Sequence, residues 1–334
     1  MHAMLNNLIT INDIAVLLTK ISQRGIGTMA SRIFRADQSR VKNVWSATES
    51  ALTHWWDIPE VQERWNEKIT GKKEITLYEY VRENYFPSSM PVKGLSIGCG
   101  TGNKELLWIQ EMEQLTLQGI DISKQRIAQA VMKARKAGVG NRLSFSVGNI
   151  YDLPLRPGEY DMIIFDSSLH HFAPIGIVLD AVKQALSPSG LLIVNEYVGP
   201  ARFQWTDRQL DIVNELLSTI PESYRKRISR DAVKTKEYRP GRLTMYVSDP
   251  SEAVESDKIE RRLFERFDVI EKKEYGGTLL QLLFKDIAGN FIRNDHKTKE
   301  LLKEIFTAED KALSTGDVKS DFALFIARPK FHAH

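Results

Sequence analysis

One stretch of this chain has glycine spacing that suggests chemistry by itself, Leu95-Ser-Ile-Gly-Cys-Gly-Thr-Gly102. Gly98, Gly100 and Gly102 let the backbone turn tightly and approach a ligand with no Cβ in the way. Between a strand and a helix such a loop cradles a nucleotide-like group, a dinucleotide among the candidates. About 20 residues further on, Gln118-Gly-Ile-Asp-Ile-Ser123 sets Asp121 at the tip of a second strand. A carboxylate there accepts two hydrogen bonds from the vicinal hydroxyls of a ribose. A second group of reactive side chains lies in Asp166-Ser-Ser-Leu-His-His-Phe172, with Glu196 about one strand later. Histidine beside a carboxylate handles protons, because the carboxylate fixes the tautomer and supports the imidazolium.

The elements that must carry these residues are legible from periodicity. Short, nearly continuous apolar runs alternate with helical patterns from 92 to 198. Strands are predicted at Gly94–Ile97, Leu115–Ile120, Leu143–Val147, Tyr160–Phe165 and Leu191–Asn195. Helices are predicted at about 103–112, 123–137 and 174–186, with Ser187-Pro-Ser-Gly190 as a turn. A sixth strand is expected at Phe267–Lys272, helices at about 278–289 and 296–314, and a last strand at Asp321–Ala327. Repeated βα units of this kind give an α/β, doubly wound, Rossmann-like sheet that binds ligands at the carboxyl ends of its strands.

Outside that pattern the chain reads as helical. Trp45, Ala51, Leu52, Trp55, Trp56, Val61 and Trp65 give apolar faces at helical spacing, and Pro59 opens a new helix with Asp57 as its cap. The tryptophans read as packing residues rather than a ligand-stacking box. Leu5–Ile21 reads as an amphipathic helix packed on its own protein or on a second subunit, not as a signal peptide. Residues 201–265 read as a charged helical insertion over the site. The expected division is 1–90 as an N-terminal cap, 91–200 as the cofactor-binding core, 201–265 as a lid, and 266–334 as the completion of the sheet.

Composition narrows the function classes. Lys and Arg number 46 against 43 Asp and Glu, a net charge of +3 that is too even to point to nucleic acid. A single cysteine excludes a disulfide framework and a cysteine-rich zinc site and fits a reducing cytoplasm. No run of 18 or more apolar residues suggests a membrane span.

Taken with Val147-Gly-Asn-Ile-Tyr-Asp-Leu-Pro154 after strand three and the His-His loop after strand four, the set resembles the class I S-adenosylmethionine-dependent methyltransferases of the UbiE/type 11 group. The resemblance covers about 92–200 and the final strand pair. It implies a mostly parallel seven-stranded sheet with an antiparallel last strand. It implies S-adenosyl-L-methionine as cofactor and S-adenosyl-L-homocysteine as product. By the same resemblance Gly98, Gly100 and Gly102 line the methionine and ribose portion, Asp121 holds the ribose, and Ile122 packs on adenine. Asn149 accepts from the adenine amino group, the Ile150 amide donates to the ring, and Asp166 reaches the methionine amino group through its backbone or its side chain. Ser96 stands where relatives carry Asp or Glu, which shifts weight to Asp166. Cys99 is a small packing residue in the loop, not a nucleophile.

Methyl transfer to an aliphatic or sugar hydroxyl needs a base, whereas a phenol, amine or carbanion needs less help. His171 is the favoured base with Glu196 as its orienter. His170 is the alternative, and pocket lining is the other reading of both histidines. Arg202, Gln204, Trp205, Tyr238, Arg239 and Arg242 could contact a polar acceptor or form a solvated face. Tyr275-Gly-Gly277 could approach the pocket or simply turn. No metal set is apparent. The expectation is a cytoplasmic methyltransferase acting on a small molecule or sugar or glycan precursor, with N- or C-methylation of a small molecule as the alternative. An RNA or protein acceptor fits less well. A homodimer is the expected form if the N-terminal helix packs on a second subunit.

Overall fold

The computed structural model describes residues 54–228, 231–242, 245 and 249–330. The segment Leu5–Ile21 and the positions Trp45, Ala51 and Leu52 lie outside the described residues.

Seven strands form one sheet in the order β3-β2-β1-β4-β5-β7-β6. They are β1 Val92–Ile97, β2 Leu115–Asp121, β3 Leu143–Val147, β4 Tyr160–Asp166, β5 Leu186–Tyr197, β6 Phe267–Gly276 and β7 Phe322–Pro329. β1 through β5 pair in parallel, and β7 runs antiparallel between β5 and β6. The order reverses beside β1, so the crevice for a ligand opens at the carboxyl ends of β1 and β4.

Alternation along the central strands explains why the sheet is covered twice. On β4, Ile163 and Phe165 join a core with Leu95, Ile97, Leu192, Val194 and the helix Ile175–Ala185. Met162 and Ile164 face the other way, into a core with Trp108, Ile109, Met112 and Val81. Strand residues that are apolar on both faces can be satisfied only in this way. Each fully buried large side chain contributes about 1.5–3 kcal/mol relative to exposure.

A third core lies outside the sheet. Trp55, Ile58 and Val61 pack with Trp205, Val213 and Leu217 of the insertion and with Leu279–Phe291. Thus Trp55 is a packing residue, and it meets Trp65 and Phe322 ring to ring at 4.8 and 5.3 Å. Arg64 ties this layer together, donating to Asp310 at 2.8 Å and to the buried Glu309 at 3.2 Å. Glu309 in turn accepts from the Leu279 and Leu280 amides at the start of the helix Leu280–Phe284.

Several boundaries differ from the sequence reading, for local reasons. The helix Pro59–Thr70 begins after Ile58, and Asp57 instead accepts from the His54 amide inside a preceding 3₁₀ turn. Ser187-Pro-Ser-Gly190 is absorbed into β5 as a bulge, with Leu186 opposite Tyr160 and Leu191 opposite Met162. The helix expected over 278–289 stops at Phe284. There Lys285 turns extended and Lys234 Nζ takes the carbonyls of Leu282, Leu283 and Lys285. Among the described residues no helix is long and apolar enough to cross a membrane.

Candidate active site

A cavity of about 530 Å³ opens at the carboxyl ends of β1, β2 and β4. Gly98 of the glycine loop lines it. The Gly98 and Cys99 amides both donate to the Ile120 carbonyl, at 2.8 and 3.1 Å, which folds the loop back onto β2. Gly98 has φ +75°, and a Cβ there would lie 2.7 Å from Ser168 Cβ. Gly102 also has positive φ, but the atoms it spares are Phe145 Cζ and Ala130 Cβ, so it serves helix–strand packing.

Asp121 lines the cavity and is doubly anchored. Its Oδ2 accepts from the Gly100 amide at 2.9 Å and its Oδ1 from the Ser123 amide at 2.7 Å. Each carboxylate oxygen keeps a second acceptor site for a ribose hydroxyl. Ile122, Asn149 and Ile150 form the adjoining wall. Asn149 Nδ2 donates to Asp152 and its Oδ1 accepts from the Tyr151 amide, leaving the carbonyl one further acceptor site.

The other expected cofactor residues stand one layer back. Gly100, Gly102, Cys99, Ser96 and Asp166 are absent from the cavity wall. Burial pushes the Cys99 thiol far up, so it stays protonated. Ser96 Oγ donates at 2.6 Å to Oε1 of Glu105, a carboxylate supplied from the following helix, Asn103–Glu111. Asp166 is turned into a network: its Oδ1 accepts from Lys104 Nζ at 2.7 Å and Asn195 Nδ2 at 2.9 Å. Its carbonyl also accepts from Lys104, at 3.1 Å. In this structure Asp166 Oδ1 is thus engaged by Lys104 and Asn195. Tyr275 belongs to the same network through Asn195, at 2.7 Å, and does not border the cavity.

The histidine loop is a 3₁₀ turn, Leu169–His171, held from below by Glu196. Glu196 is fully buried; its Oε2 accepts from the Ser168 and Leu169 amides at 2.8 and 2.6 Å. Its Oε1 accepts from His170 Nδ1. Glu196 is thus the partner of His170, not of His171 as the sequence suggested. His171 lines the cavity.

The insertion supplies what the sequence reading did not contain. The turn Asp249–Glu252 brings Glu252 Oε1 to 3.5 Å from His170 Nε2 and Oε2 to 4.0 Å from His171 Nδ1. The Val254 amide donates to the His170 carbonyl at 3.3 Å, so the insertion is bonded directly to the histidine turn. Burial opposes a charge on His170, but Glu196 and Glu252 outweigh it and raise its pKa to about 10. Burial and the neighbouring His170 lower His171 to about 4.

Arg202, Pro250, Ser251 and Val254 cover the cavity from the insertion, and Tyr151 and Phe172 add aromatic surface. Arg202 Nη1 donates to the Pro250 carbonyl at 2.7 Å. Of the six insertion residues considered from sequence, Arg202 alone borders the cavity; Trp205 is buried against Phe203, and Arg239 binds the Trp205 carbonyl and Asp207. Ser167, Arg202, Phe203 and Ala253, all at or beside this rim, have positive φ without being glycine. Non-glycine residues rarely adopt that conformation, and it collects at ligand sites.

The residues fit a nucleoside cofactor: a tight glycine loop with Gly98 on the cavity wall, a doubly anchored carboxylate with spare acceptor sites, and an apolar wall for a base. A family model described as a methyltransferase domain matches residues 91–266. Erythromycin 3''-O-methyltransferase of Saccharopolyspora erythraea is 24% identical over 104 residues, covering 31% of this chain and 34% of that protein. The 27-O-demethylrifamycin SV methyltransferase of Amycolatopsis mediterranei is 28% identical over 104 residues, covering 31% of this chain and 38% of that protein. This chain therefore spans little more than a third of the length of these relatives. Among solved structures, phosphoethanolamine N-methyltransferase 2 of Haemonchus contortus, in complex with S-adenosylhomocysteine, shares the fold. It has a TM-score of 0.50 at 15% identity and covers 87% of this chain and 61% of that one. The chain belongs to the methyltransferase-domain family, whose cofactor is S-adenosylmethionine.

Proposed function

We propose that the chain transfers the methyl group of S-adenosylmethionine to a hydroxyl oxygen of a small molecule, with sugars and glycan precursors as the acceptor class. Gly98, Asp121, Ile122, Asn149 and Ile150 hold the cofactor, with Ser96, Cys99, Gly100, Gly102 and Asp166 supporting them from behind. The bound cofactor supplies an activated sulfonium methyl. The acceptor oxygen forms the new C–O bond, the S–CH3 bond breaks with its electron pair on sulfur, and the hydroxyl proton is released.

That proton distinguishes oxygen from nitrogen as the target. A neutral amine attacks with its own lone pair, whereas an aliphatic hydroxyl must lose its proton during attack. The observation that carries the reading is His171 on the cavity wall, with Glu252 4.0 Å from its Nδ1 and the His170–Glu196 pair behind it. The names of the two bacterial relatives above, which place their methyl groups on oxygen, agree with it. We also read the insertion 201–265 as a lid, because Arg202, Pro250, Ser251 and Val254 line the cavity, and keep 1–90 as the proposed cap.

The test is product analysis. The full chain, methyl-labelled S-adenosylmethionine and a panel of free and nucleotide-linked sugars and of amines should yield O–CH3 products by NMR. His171→Ala should lower kcat on that acceptor by about 10²–10⁴ while S-adenosylhomocysteine affinity stays near wild type. Products methylated only at nitrogen or carbon, or full kcat in His171→Ala, would overturn the reading.

A further inference from the structure

We infer that the corner formed by His170, His171 and Glu252 is a binding site for one divalent transition-metal cation, placed at the acceptor end of the cavity. Among the described residues these three side chains form a group whose ligand atoms all lie within 4.8 Å of one another. Two ligands about 2.1 Å from one ion stand about 3.0–3.4 Å apart in octahedral or tetrahedral geometry. The observed separations of 3.5 Å for His170–Glu252 and 4.0 Å for His171–Glu252 need only small side-chain rotations to reach that.

Three features make this more than a chance meeting of polar groups. The first is orientation. Glu196 Oε1 holds Nδ1 of His170, which leaves Nε2 directed at Glu252. A carboxylate behind an imidazole in this way fixes the ring and raises its basicity toward a metal. The second is charge. Glu196 and Glu252 together carry two negative charges, and a divalent cation that takes the place of the proton on His170 would balance both in a mostly buried corner. The third is access. His171, one of the three ligands, lines the cavity, as does Ser251 beside Glu252, so an ion held here would reach the cavity on the His171 side. Two imidazoles and one carboxylate with open positions suit zinc, iron(II), cobalt or nickel rather than magnesium or calcium.

The inference deepens the hydroxyl reading and rests on it for its role. A cation here would hold the acceptor oxygen beside the cofactor methyl and make its proton easier to lose, with His171 then serving as a ligand to the ion in place of acting as the base. Two chain segments about eighty residues apart must be brought together to make the site, and the Val254–His170 backbone bond does that.

The experiment is calorimetric titration of ZnCl2 into the chelator-treated full chain, with CoCl2 as a second probe read by its ligand-field absorption. One ion per chain is expected, with a cobalt spectrum of mixed nitrogen and oxygen ligation. Glu252→Gln, a partly exposed position that should not disturb folding, should weaken binding by at least about 100-fold; Glu196→Gln should weaken it by about 10–100-fold. Zinc should raise the Tm of the wild type and not that of Glu252→Gln. Absence of saturable binding, or equal zinc affinity in wild type and Glu252→Gln, overturns the inference. The two readings fail separately: O-methyl product without zinc binding removes the metal alone, and zinc binding with N-methyl product removes the hydroxyl reading alone.

Discussion

The Glu196 carboxylate is bonded to His170, while His171, the next residue, forms the cavity wall. The same carboxylate receives the Ser168, Leu169 and Tyr197 amides, so one buried side chain shapes the whole turn after β4. Its part is to position; of the two histidines only His171 lines the cavity.

Glu196→Gln should therefore act on the turn as well as on the histidine. Glutamine has an amide NH2 where one carboxylate oxygen stood, and that NH2 would face amides that need an acceptor. An unsatisfied buried donor costs about 1–3 kcal/mol. Urea denaturation should show a loss of that size, and His171→Asn, on the cavity wall, should lose less. Equal losses in the two variants would contradict this division of roles.

Asp121→Ala should remove the ribose acceptor and two anchors of the glycine loop. Charge-assisted hydrogen bonds are worth about 1.5–3 kcal/mol, or about a 10–150-fold loss of affinity. Titrating S-adenosylhomocysteine into wild type and variant by calorimetry measures it. Unchanged affinity would remove Asp121 from the cofactor site.

The sheet was legible because its strands have apolar residues on both faces and its turns contain glycine. Leu143–Val147 needed no adjustment, and β4 differed by a single residue, Asp166. That Asp121, Asn149 and Ile150 line the cavity was legible for the same reason, since they sit at or just beyond strand tips that periodicity locates. What the sequence hid depends on contacts between distant segments. Glu252 lies in an insertion with no period to locate it, and only the folded chain brings it to His170. The buried acidic group missing at Ser96 was present nine residues later as Glu105, one helical turn into the next element. The pairing of Glu196 with His170 rather than His171 is a matter of which ring a 3₁₀ turn points inward, which residue type does not encode.

The relocated carboxylate gives the last prediction. Burial pushes Glu105 up from 4.5 to about 7, against the Ser96 hydrogen bond, which pulls it down. Its second oxygen, Oε2, has no hydrogen-bond partner among the described residues, so nothing there offsets the cost of charge. Asp166 raises the value further and Lys104 lowers it. The folded chain therefore holds this proton more tightly than the unfolded chain, which releases it near 4.5. Stability must fall as pH rises through the window from about 4.5 to about 7 and change no further above it. The difference between the two values corresponds to roughly 3 kcal/mol. Asp321, raised by burial to about 8, acts in the same direction, so wild type alone cannot isolate Glu105. The readout is the difference in unfolding free energy between wild type and Glu105→Gln. Glutamine keeps an acceptor for Ser96 Oγ and cannot ionise. Relative to wild type the variant should gain roughly 3 kcal/mol between about pH 5 and about pH 8. A difference that stays constant across that range would show that Glu105 is ionised in the folded chain throughout.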